Sequence, residues 1–145
     1  MSASAAGGGQ RALWMEAIMR TRPGSVLVVT AQPEIGGALC AALGRLGLAT
    51  VLAAGATEAI HSLADDAPGA IVVDLAFPDL APEQLVQRAL VCRETHGSPV
   101  ILLAAPGEMV DRDAWLERGC ADVLGSDSDA RDIADVVRAL ARQPR

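Results

Sequence analysis

The chain has 145 residues, enough for one compact domain with a full core. Its apolar share is 51%, yet no run approaches the roughly 18 apolar residues of a membrane-spanning helix, and MSASAAGGGQ at the N-terminus is no secretory signal. A cytoplasmic protein with no membrane partner is expected. The net charge is −6 and all 12 basic residues are arginines; scattered as they are, they form no concentrated basic face for phosphate backbones, so nucleic acid is excluded as a partner.

Residues 1–24 form an N-terminal extension that begins small, polar and flexible. Within it, QRALWMEAIMRTRPG pairs Leu13 with Ala17, Trp14 with Ile18 and Met15 with Met19 at i,i+4, the spacing of a short helix with a large apolar surface. Such a helix docks on a partner, swaps between two copies or packs on its own domain, unless translation starts at Met15 or Met19.

From Ser25 the chain alternates. SVLVV is a continuous valine-rich run, suited to a strand covered on both faces. After Pro33, the spacing of Ile35, Leu39, Ala42 and Leu46 predicts a helix, closed by GLG. ATVLAA is a second strand, TEAIHSLADDAPG a second helix with Ile60 and Leu63 inward, and AIVVDLAFPDL a third strand running into a proline turn. Residues 82–95 are expected as a helix, SPVILLAA as a strand, 109–118 as a helix stopped by Gly119, and ADVL as a fifth strand. A last helix has Ile133, Val137 and Leu140 on its inner face, and the aspartates of GSDSDARD suit its start.

Five strands alternating with five helices imply an α/β, flavodoxin-like (βα)5 fold, a doubly wound parallel sheet of strand order 2-1-3-4-5. Ligands of such a sheet bind at the carboxyl ends of the strands, where the strand order reverses. That point lies at Thr30-Ala31 and Asp74, with Ala104 and Gly125-Ser126 alongside. Thr30, Ala31 and Gln32 carry no charge. No Ser-His-Asp or Cys-His set falls at the strand ends, so an enzyme is not expected. His61 and His96 stand alone, and Cys40, Cys92 and Cys120 are far apart without a CxxC pair. Surface histidines, free buried thiols and no metal site follow.

Residues 25–142 resemble the receiver domain of bacterial two-component response regulators. The resemblance rests on IVVDLAFPDL, then PVILLAA and LERGCADVL, and runs through all ten elements. It implies that Asp74 corresponds to the aspartate the family phosphorylates. The family's Mg²⁺-holding acidic pair then falls on Thr30 and Ala31, its hydroxyl position on Ala104, and its lysine on Ser126, followed by Asp127 where the family has proline. The aromatic switch position falls on Val123. Glu34, the nearest spare carboxylate, is expected to point to solvent. The resemblance therefore implies a degenerate pseudo-receiver that uses no cofactor and no Mg²⁺.

Asp74 can alternatively cap the turn that follows it, with Thr30 as a hydroxyl neighbour. The expected function is that of a stand-alone signalling domain acting by protein–protein interaction in a two-component or related bacterial pathway. Its partner would be a histidine kinase, another regulator or a second copy of the chain. The alternatives are a conventional phosphoacceptor using Asp74, and a small ligand-binding or enzymatic α/β domain. Trp14, and a face combining Trp115 with Arg112, Arg131 and Arg138, are the interaction candidates, because aromatic and arginine side chains anchor interfaces.

Overall fold

The computed structural model describes residues 25–55, 58–59, 68–76, 82–107 and 110–141. Five parallel strands, β1 (Val26–Val29), β2 (Thr50–Ala53), β3 (Ala70–Asp74), β4 (Val100–Ala104) and β5 (Asp122–Gly125), form a sheet of order β2-β1-β3-β4-β5. This is the flavodoxin-like order expected above. Between and after the strands, the described helices are α1 (Pro33–Arg45), α2 (Pro82–His96), α3 (Arg112–Glu117) and α4 (Ala130–Leu140). Of the helix expected from TEAIHSLADDAPG, only Glu58 and Ala59 are described, and both are helical. Ile60, His61 and Leu63 lie outside the described residues, as does the whole N-terminal extension with Trp14.

Every residue of β1 and β3 is buried, and so is β4 up to Leu103. Helices cover both faces of a parallel sheet, which is why these strands read as unbroken apolar runs. The two-residue strand period splits the core. Leu27, Val29, Ile71, Val73 and Leu102 pack with α2 and with Trp115 of α3. Val26, Val28, Val72, Ile101 and Leu103 pack with α1 and α4. The layers α1/α4 and α2/α3 therefore lie on opposite faces.

Two expectations need correction. The helix expected over 109–118 is α3, which starts only at Arg112, because Asp111 takes the N-cap position and its carboxylate accepts the Ala114 N–H at 3.1 Å. On α4, Leu140 does not face inward: it is 37% exposed, while Ile133, Ala134 and Val137 are buried. The buried row continues by steps of four to Ala141, not Leu140.

The end of α1 shows how the chain is turned back towards β2. Gly47 has φ +81°, and its N–H donates to the Gly44 carbonyl while the Leu48 N–H donates to that of Leu43. This is a Schellman closure, and Leu48 packs on the same core as Leu43. Among the described residues no helix is long and apolar enough to cross a membrane. Gly47→Ala forces a β-carbon into a left-handed conformation and should destabilise by about 1–2 kcal/mol in urea unfolding. Leu102→Ala opens a cavity at the sheet centre and should cost about 2–5 kcal/mol by the same measurement.

Candidate functional site

β1 and β3 pair in parallel with Val29 opposite Val73, so one step further along each strand brings Thr30 beside Asp74. Both are buried, at 2% and 1% exposure. A carboxylate so far from water is tolerated only when its oxygens are hydrogen-bonded. Here both are. The Thr30 hydroxyl donates to Asp74 Oδ2 at 2.7 Å, and the Gln32 side-chain amide Nε2 donates to the same oxygen at 2.7 Å. The Ala76 N–H donates to Oδ1 at 3.0 Å, closing the turn after β3. Thr30 Oγ1 in turn accepts the Gln32 N–H at 3.1 Å.

The local sequence explains why Gln32 reaches across. Gln32 is the N-cap residue of α1, yet its side chain makes no capping bond, and Pro33 opens the helix. Proline at N1 presents no N–H, so one donor that a cap might serve is already missing. The long amide is left to cross to Asp74. Sequence reasoning missed this bond. The signal that could have found it is a polar N-cap side chain too long for ordinary capping, set three residues after the end of β1.

Ala31 is half-buried and packs on the α2/α3 core, as does Ala104 at the end of β4. The Ala104 carbonyl accepts the Ser126 N–H at 2.8 Å, in the turn after β5. Asp127 folds back over Gly125, its Oδ1 lying 2.7 Å from where a β-carbon on that glycine would sit. The strand ends thus bring Thr30 and Asp74 into contact, while Ala31, Ala104 and Ser126 stand around them without a described hydrogen bond to Asp74. Val123 is half-buried in β5.

Mg²⁺ demands oxygen ligands in near-ideal geometry, whereas Asp74 Oδ2 faces an amide NH₂ and a hydroxyl hydrogen. Glu34 is exposed on the first turn of α1. Among the described residues no three His, Cys, Asp or Glu side chains gather at metal-binding distance.

The expected interaction candidates fall in the two layers that flank the edge strand β5. Trp115 is half-buried against the α2/α3 core, with the Arg118 guanidinium stacked 4.4 Å from its ring centre. Arg112 bridges to Asp122 of β5 at 2.7 Å. That hydrogen bond, and then the charge of Asp122, raise the Arg112 pKa above its usual value. Arg131 lies in the opposite layer and lines a groove with Arg45 of α1, its C-cap Leu46 and Asp135 of α4. Arg138, seven residues on, shares that flank of α4. Trp115 and Arg112 therefore belong to one side of the molecule, and Arg131 and Arg138 to the flank facing α1. Trp14 lies outside the described residues.

Thr30→Val removes a donor to a buried carboxylate and the acceptor of the Gln32 N–H together. It should cost about 1.5–3 kcal/mol in urea unfolding, the range for hydrogen bonds to charged groups. Gln32→Leu removes one half-buried donor and should cost less than Thr30→Val.

No family model matches the chain. Response regulator Rre1 of Synechocystis is 32% identical over 123 residues, covering 83% of this chain and 53% of the relative. The chain spans about half the length of the curated relatives it matches. The receiver domain of Francisella response regulator 1452 superposes with a TM-score of 0.69 at 22% identity, covering 81% of this chain and 95% of that one. The receiver domain of sensor histidine kinase PA1611 from Pseudomonas aeruginosa, solved with a magnesium ion coordinated in its active-site cleft, gives a TM-score of 0.68 at 22% identity over 81% of this chain and 97% of that one. The chain thus has the receiver-domain fold and is similar in sequence to response regulators over about four-fifths of its length.

Proposed function

We propose that this chain is a receiver-like signalling domain that acts by contact with a protein partner, independently of aspartyl phosphate, in a two-component or related pathway. Residues 25–142 form the receiver-like unit and residues 1–24 an extension to it. The observation that carries this reading is the occupancy of Asp74: Oδ2 accepts from Thr30 and Gln32, and Oδ1 from Ala76. Phosphoryl transfer needs a positioned nucleophilic oxygen and cationic groups to stabilise the charge of the transition state. At this site the oxygen already holds two short hydrogen bonds, the neighbouring donors are neutral, and no lysine exists in the chain. Each missing electrostatic donor is worth roughly 3 kcal/mol of the barrier. No cofactor enters this reading.

The partner is a histidine kinase, another regulator or a second copy of the chain. Output through such a partner relies on a standing surface, because a ligand shifts an equilibrium only when it distinguishes two states. One observation favours a second reading, a conventional phosphoacceptor: the chain keeps an aspartate at the end of β3 and is similar to response regulators.

Incubation with acetyl phosphate and Mg²⁺, followed by intact-protein mass spectrometry, separates the two. The expected spectrum is that of the unmodified chain. One phosphate gained, and lost in Asp74→Asn, would establish the conventional reading instead.

A further inference from the structure

Among the described residues, the flank of α1 that faces β2 is open. The other flank of α1 is taken by α4, across the groove that holds Arg45 and Arg131. On the open side, Leu52 of β2 is 43% exposed, one of few large apolar side chains left in solvent among the described residues. It lies on the α1 side of the sheet, since a β-carbon on Gly36 would come within 3.0 Å of its Cδ1. β2 is also an edge strand. Gly36, Cys40 and Gly44 follow one another at i,i+4 along this flank. β-carbons on Gly37 or Gly44 would meet no described atom, although glycine is a poor residue for an exposed helix interior.

The chain itself carries a segment of matching chemistry within reach. Residues 11–20 pair Leu13 with Ala17 and Trp14 with Ile18 at helical spacing. They join the described structure at Ser25, the residue before β1, whose Val26 pairs with Thr50 of β2. The four-residue tether, Thr21 to Gly24, spans up to about 14 Å. The open flank begins one strand spacing, about 4.8 Å, from β1. A ten-residue helix is about 15 Å long, comparable to the exposed length of α1. So short a flexible tether holds the segment at roughly millimolar effective concentration beside this surface. We infer that residues 11–20 dock as a helix on the open flank of α1 and β2 of their own chain, with Leu52 beneath them. The inference does not depend on whether Asp74 is phosphorylated.

Trp14 and Trp115 are the only tryptophans, so Trp115→Phe in the full-length chain makes Trp14 the sole indole reporter. Docking predicts a blue-shifted emission that acrylamide quenches poorly. Leu52→Asp should move that emission to the position seen in urea, with a loss of helical circular dichroism no larger than about ten residues account for. Gly44→Gln, which meets no described atom, should also increase quencher access by crowding the flank. If Trp115→Phe does not fold, the same exposure is read from the ¹⁹F signal of Trp14 in the otherwise unaltered chain labelled with 5-fluorotryptophan. An indole already as accessible as in urea would overturn the inference. So would protection that survives both substitutions. Protection that disappears on dilution together with a dimer would also overturn it, assigning the surface to a second copy.

Discussion

A carboxylate at 1% exposure must have its oxygens occupied, and that constraint organises the carboxyl end of this sheet. Asp74 draws to itself the Thr30 hydroxyl from the end of β1, the Gln32 amide from the start of α1 and a backbone N–H from the turn after β3. A divalent ion could satisfy the same oxygens, but by a different route: it would demand further oxygen ligands and would carry charge. Neutral donors satisfy them without either. The same atoms therefore complete the fold at the carboxyl end of the sheet. Among the described residues no buried side-chain nitrogen or oxygen lacks a partner.

The fold was legible because its signals are long-ranged in the sequence and redundant. SVLVV, AIVVD and PVILLA are unbroken apolar runs, and each of them became a strand buried on both faces. Positions that depend on one side chain were less legible. The start of α3 moved to Arg112 because a single carboxylate, Asp111, captured an N–H. Leu140 was expected inside, but the helical row of Ile133 and Val137 leads to Ala141. In the site, the strand ends follow from topology alone, so the sequence already sets Thr30 beside Asp74. Gln32 could not be placed this way, because a side chain that leaves its own helix to bond 42 residues away obeys no local periodicity.

Surfaces were the least legible feature, and the two-layer construction explains why. Trp115, Arg131 and Arg138 are close in sequence, yet β5 lies between α3 and α4 in the chain, and the crossover carries α4 to the other face of the sheet. Residues on neighbouring helices of a doubly wound sheet can thus be separated by its full thickness. The Trp115–Arg118 stack, by contrast, is local, three residues apart on a helical turn.

The Thr30–Asp74 contact joins residues 44 apart in the chain. The pairing of β1 with β3 therefore needs a long loop to close before the central strands are in register, and such non-local closure slows folding relative to hairpins. Once formed, the cluster ties two backbone amides to one event: the Gln32 N–H ends on Thr30 and the Ala76 N–H on Asp74. Opening the carboxylate exposes both at once. In native-state hydrogen exchange these two amides, distant in sequence, would behave as members of a single cooperative unit that reports on the closure of the carboxyl end of the sheet.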